Sequence, residues 1–257
     1  MSRDFTLEKY RELCHVLLEK SDIYTVFDYL TKKPDGNSTV LRHDVDRRIG
    51  NALRMAHLEN EMGIRSSYYF RYPSTFKPEV IRQIYNMGHE VGYHYEVLSR
   101  AKGNYEKAIE LFQSELGEFR KICEINTICM HGSPLSKYDN RDLWNQFDYH
   151  SFGIAGEAFL SFEQNNECVI YLTDTGRTWD GKNSIRDVIR KNSEYSIPLS
   201  LKCTDEINVW LKEYPVNTLY LTTHPERWSK STGEWLLSSC LDFSMNCGKR
   251  ILMVIRA

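Results

Sequence analysis

Residues 38–63 read STVLRHDVDRRIGNALRMAHLENEMG, and this stretch sets the fold class. Ser38 to Asp44 is a short, largely apolar run of strand length. From Gly50 to Met62 the period changes. Ala52, Leu53, Met55, Ala56 and Leu58 recur at helical spacing, and Gly63 marks the end of the helix. A strand running straight into a helix is the first half of a βαβ unit.

Outward from this unit the alternation continues. Ser66 to Phe70 reads as an aromatic-rich strand, Pro78 to Met87 as a helix with Pro at its start and Gly88 past its end, and His89 to His94 as a short strand. Asn104 to Cys123 is the longest helical pattern, and Asn126 to Met130 is the next strand. Arg141 to Phe147 is a short helix, Val169 to Leu172 a strand, and Asp187 to Lys191 lies in a weak helical segment. Thr204 to Glu213 reads as a helix, Leu219 to Thr223 as a strand, Gly233 to Leu241 as a helix, and Arg250 to Ile255 as a closing strand. About seven strand-helix alternations in 257 residues predict one α/β domain with a parallel sheet closed, or nearly closed, into a barrel. An open doubly wound sheet is the other arrangement such alternation allows. No G-x-G-x-x-G or P-loop accompanies any strand. Thr6 to Thr31 reads as one or two helices, so residues 1–37 are expected to be a helical extension packed on a single domain spanning 1–257.

Composition narrows the function classes. With 33 Lys+Arg against 35 Asp+Glu the formal charge is −2, which offers no basic footprint for nucleic acid or an anionic membrane. No stretch approaches the roughly 18 apolar residues of a membrane span. The opening MSRDFTLEKYRELC has no apolar signal-peptide core, so a cytoplasmic location is expected. Seven cysteines, an odd number without any C-x-x-C, read as reduced and mostly buried thiols.

In parallel barrels the reactive residues sit at C-terminal strand ends. Asp44 and Asp46 are two apart, with Cα atoms roughly 6.6 Å apart on one face of an extended chain, while His43 and Val45 face away. Two such carboxylates repel when ionised and call for a cation or a proton. The plainer reading of Asp46 is a cap on the following helix. His94 ends the strand after Gly88-His89-Glu90-Val91-Gly92-Tyr93, with His89 on the opposite face as a structural residue. His131 ends Ile128-Cys129-Met130, and His224 ends Leu219 to Thr223 ahead of Pro225. Tyr171 to Asp180 is a further strand running into polar and aromatic residues. One such histidine alone reads as structural; three at strand ends beside an Asp-x-Asp read as a site. His15, His57 and His150 have no assigned role. Trp179 and Trp228 offer a sugar-stacking face.

From about Thr39 to Trp228 the order and spacing of these segments resemble the polysaccharide deacetylase (NodB-like, carbohydrate esterase 4) family, in particular its divergent branch in bacterial surface-polysaccharide biosynthesis. The most specific parts are Gly88 to His94 and Asp44-Val45-Asp46. The resemblance implies a distorted (β/α)7 barrel, with Asp44 as general base, Asp46 and His94 as metal ligands and His224 as general acid. The family's second motif carries another ligand histidine four residues after the first, where this chain has Leu98. Its third motif usually places an arginine where this chain has His131. His131 is therefore taken as the replacement ligand, with Glu96 as its rival. Asp174 and Arg177 fall where the family orients the catalytic pair, and with Trp179 they are expected to bind substrate. The implied cofactor is a divalent metal, Zn²⁺ first, with Fe²⁺, Ni²⁺ and Co²⁺ fitting the same donors. The implied reaction removes an N-acyl group, N-acetyl above all, from a small-molecule or lipid-linked amino sugar. Two other readings stay open: a non-catalytic module that binds a glycan or nucleotide sugar, and a barrel acting on a non-sugar amide.

Overall fold

The computed structural model describes residues 3–164, 169–179, 181, 184, 186, 189 and 201–256. Its strands are β1 (Asp22–Tyr24), β2 (Ser38–Val45), β3 (Ser67–Phe70), β4 (Glu90–Tyr95), β5 (Thr127–Met130), β6 (Gly156–Glu157), β7 (Val169–Thr173) and β8 (Thr218–Thr223). The main path runs β6-β5-β4-β3-β2-β8-β7, with β1 pairing the first half of β2. Every pairing is parallel, so all strand ends of one kind lie on one rim.

The sheet curls until its two ends meet. The Tyr220 ring of β8 stacks on Phe162, just beyond β6, at 4.2 Å between centroids, and its hydroxyl donates to the Ala158 carbonyl at 2.8 Å. Phe159 meets Tyr171 of β7 at 6.1 Å. Among the described residues no ladder joins β6 to β7. The architecture is thus an α/β barrel of the distorted (β/α) type, open at that seam. Interior packing explains Gly92. A Cβ there would lie 2.3 Å from the Tyr69 ring and 3.0 Å from the Thr127 carbonyl oxygen. Without it the Tyr69 ring crosses β4, and its hydroxyl bonds the Thr127 hydroxyl at 2.6 Å.

Helices cover the outside. Ile49–Glu61 follows β2, and Pro78–Asn86 and Tyr105–Arg120 follow β3 and β4. Leu7–Lys20 packs against Thr204–Glu213. Two parts of the sequence reading change. The N-terminal stretch holds strand β1 between its helices, and that strand pairs into the sheet rather than packing on it as helix. Arg250 to Ile255, read as a closing strand, lies within one helix, Thr232–Arg256. A short apolar run fits either period, and no proline interrupts the helix already under way. Asp187 to Lys191 falls, apart from Ile189, outside the described residues. No helix among the described residues is long and apolar enough to cross a membrane.

A buried polar cluster ties β2 to the helix behind it. Glu59, fully buried on Ile49–Glu61, lies 2.7 Å from His43 Nε2 and 3.6 Å from His89 Nδ1. It also accepts from Ser66 at 2.6 Å, from Tyr68 at 2.9 Å and from Tyr10. His89 thus serves the core, as its strand face implied. Burial works against the Glu59 charge, but His43, His89 and the hydroxyl donors outweigh it and lower the carboxyl from 4.5 to about 2. A carboxylate depressed in this way stabilises the fold above pH ~4.5 and loses that contribution as pH falls through about 2. Glu59→Gln should therefore cost about 3 kcal/mol in denaturant unfolding at pH 7. The gap to wild type should narrow as pH drops from ~4.5 towards 2; a gap that does not vary with pH would assign the loss to packing instead of charge.

Candidate functional site

The five residues singled out at strand ends converge on one pocket at the C-terminal rim. Asp44, Asp46, His94, His131, His224 and Arg227 are among the lining of this open cleft. Asp44 and His94 are strand residues; Asp46, His131 and His224 come just after β2, β5 and β8. Asp46 does not cap the next helix, whose N-cap is Arg48 and carries no side-chain bond.

Asp44 is buried and held by a charge. Arg42, fully buried two residues earlier on the same strand face, donates to its Oδ2 at 2.8 Å. The Arg42 guanidinium also bonds the Tyr220 hydroxyl at 2.9 Å and lies over the Phe159 ring at 4.3 Å. Sequence reading assigned Arg42 nothing, although strand alternation places it on the Asp44 face.

Asp46 sits between two imidazoles. Its Oδ1 is 3.4 Å from His94 Nε2 and 3.5 Å from His131 Nε2, and that oxygen is buried without a hydrogen-bond partner. The other nitrogen of each ring is already engaged. His94 Nδ1 lies 3.0 Å from the Cys129 carbonyl oxygen, and His131 Nδ1 lies 3.1 Å from Ser133 Oγ and 3.3 Å from Glu96 Oε1. Carbonyl or carboxylate partners of this kind orient ligand histidines and turn Nε2 to the metal. At bond lengths of about 2.1 Å, two tetrahedral ligands have their donor atoms roughly 3.4 Å apart, which is the spacing observed. Asp46 with either imidazole is thus spaced for a shared divalent ion, and among the described residues the three-residue group whose ligand atoms lie within 4.8 Å of one another is Asp44, His94 and Cys129. Burial resists the Asp46 charge, but His131 and His94 outweigh it and hold the carboxyl well below its usual range. Glu96 is drawn to its own partners, the Arg71 guanidinium and Ser133 Oγ (2.5 Å), so it supports His131 from behind. Leu98 is buried in the core.

Nearby, Glu226 is 2 % exposed, and burial together with the Asp46 charge pushes its carboxyl up to about 7.

His224 faces this group with a carboxylate behind it. Asp174, fully buried just past β7, lies 2.6 Å from His224 Nδ1. Asp174 also accepts from the His224 backbone N–H (3.0 Å), Arg227 (2.9 Å) and the Trp228 indole (2.9 Å). Burial and Arg227 oppose a charge on His224, yet Asp174 prevails and raises the imidazole above its usual value.

The other expected substrate contacts lie elsewhere. Asp174 is beneath His224 and reaches the pocket only through it. Arg177 donates to Asp242 at 3.0 Å and to the Arg227 carbonyl at 2.9 Å and does not line the pocket. Trp179, 3 % exposed, stacks on Phe5 at 6.1 Å, and Trp228 is fully buried beside Tyr10. Neither ring offers a face to a sugar. Gly176, at φ +76°, turns the chain after β7 towards Phe5, on which Trp179 stacks. Arg186 had no sequence signal; it donates to the carbonyls of Gly132, Ser133 and Ser136 at 2.7–2.9 Å and holds the loop beside His131.

No protein-family model and no curated protein matches the sequence. Among solved structures, a CE4 family pseudoenzyme from Bacillus anthracis is similar at 11% identity and a TM-score of 0.45. The match covers 82% of this chain and 62% of that one, so this chain spans less than two thirds of that protein's length.

The ligand geometry has a direct check in metal analysis of purified protein. His94→Ala should abolish retention of zinc, and His131→Ala should weaken zinc affinity at least ~10-fold. Unchanged affinity in both variants would remove these residues from the ligand set.

Proposed function

We propose that the chain is a metal-dependent hydrolase that removes an N-acyl group, N-acetyl above all, from an amino sugar. The observation that carries this reading is the pairing, across one pocket, of an unbonded Asp46 oxygen between two imidazoles with a carboxylate-backed His224. A divalent ion held by Asp46, His94 and His131 would polarise the amide carbonyl and stabilise the oxyanion. Asp44 accepts the proton of the attacking water, while Arg42 fixes the orientation of its carboxylate. His224, kept protonated by Asp174, delivers a proton to the leaving amine. The deacetylase resemblance supports the substrate class, a nucleotide-linked or lipid-linked amino sugar.

Two measurements test this. Asp44→Asn should lower deacylation of N-acetyl sugar nucleotides by about 10²–10⁴-fold; full activity in that variant would end the base assignment. The pH profile reads His224. Its acid form is the active one and its proton affinity is raised, so the alkaline limb of kcat should lie above the ordinary histidine value of about 6.5. Asp174→Asn removes the group that raises it, and the alkaline limb should move to lower pH. An unmoved limb would assign the limb to another group.

A further inference from the structure

Behind the lining residues Asp44 and His94 lies a donor that the proposed reaction does not use. Cys129 on β5 is fully buried, and its Sγ lies 3.8 Å from Asp44 Oδ1. The β4–β5 register sets Cys129 directly beside His94. His94 Nε2 in turn lies 4.0 Å from Asp44 Oδ2. One ligand atom from each of Asp44, His94 and Cys129 falls within 4.8 Å of the others, and all three residues are buried. These are a carboxylate, an imidazole and a thiol, the mixed hard and soft set that borderline and thiophilic ions select.

We propose that Asp44, His94 and Cys129 form a second, thiolate-containing metal position beneath the one framed by Asp46, His94 and His131. It goes beyond the proposed reaction and does not depend on it. Distances support the placement. At metal bonds of about 2.3 Å to sulfur and 2.1 Å to oxygen, tetrahedral donors lie roughly 3.6 Å apart. The Cys129–Asp44 separation is within a few tenths of an ångström of that. Arg42 binds Asp44 through Oδ2, which leaves Oδ1 on the side of the sulfur. Charge supports it too. A carboxylate and a thiolate offset the buried guanidinium, which would otherwise repel an ion. Binding exchanges the Cys129 thiol proton for the ion: S–H breaks, a sulfur–metal bond forms, and the proton leaves to solvent.

The two positions exclude each other, because both need His94 Nε2 and that nitrogen has one lone pair. Ions that prefer oxygen and nitrogen occupy the upper position. Thiophilic ions such as Cd²⁺ occupy the Cys129 position, and there they tie up the Asp44 oxygen that the hydrolytic reading needs.

Titration with Co²⁺ distinguishes the positions, because thiolate coordination adds a sulfur-to-metal charge-transfer band in the near ultraviolet and imidazole–carboxylate coordination does not. His131→Ala, which loses only the upper position, should show the band at least as strongly as wild type. Cys129→Ser and, independently, His94→Ala should abolish it, with folding checked by circular dichroism. Cd²⁺ affinity should fall at least ~10-fold in Cys129→Ser. No band in His131→Ala overturns the proposal. So does a band that survives in Cys129→Ser, since it would then arise from another cysteine, and one that survives unchanged in His94→Ala, since that imidazole would then not be a ligand. Because His131→Ala tests the upper position alone, failure of the hydrolase reading and failure of this one give different patterns.

Discussion

A guanidinium buried inside the barrel constrains most of what surrounds it. Arg42 has no exposed surface, and a charge so placed is tolerated only with a partner charge and further polar contacts. Asp44 supplies the charge, the Tyr220 hydroxyl supplies a bond, and the Phe159 ring lies against the planar face. These partners come from β2, β8 and the segment after β6. The same contact therefore closes the curl of the sheet and fixes the carboxylate that the chemistry needs. Loss of Arg42 would leave Asp44 buried and uncompensated and would remove one of the contacts that join the two ends of the sheet.

Around that pair the pocket is built by a uniform device: each reactive side chain is held from behind. His94 is held by a backbone carbonyl, His131 by Ser133 and Glu96, and His224 by Asp174. Asp174 in turn is gripped by Arg227 and the Trp228 indole. Residues expected at the substrate, Trp228 and Arg177, instead serve this outer layer. Asp242, on the long C-terminal helix, receives Arg177 and stands 3.4 Å from Arg47 at the pocket. That helix thus belongs to the support of the site, which a closing strand would not have provided.

Much of the barrel was legible in the sequence because strand and helix periods differ and because Gly and Pro mark several of the boundaries. Ser38 to Asp44, Thr204 to Glu213 and Leu219 to Thr223 stand close to where the pattern put them. The gathering of Asp44, Asp46, His94, His131 and His224 followed from one rule, that parallel strands present their C-terminal ends on one rim. Arg42 was within reach of the same alternation argument and was passed over. Strand β1, three residues long, and β6, two residues long, are too short to show a period.

The sequence by itself determined the alternation of elements, the parallel sheet and the identity of the residues on its reactive rim. These are local properties, set by side-chain periodicity and turn chemistry along the chain. Only the tertiary structure decided that Glu96 backs His131, that Trp179 and Trp228 are core, and that Cys129 lies beside Asp44. Cys129 and Asp44 are 85 positions apart. Such contacts depend on the curl of the sheet and on where each loop turns after its strand, and no pattern along the chain encodes that distance.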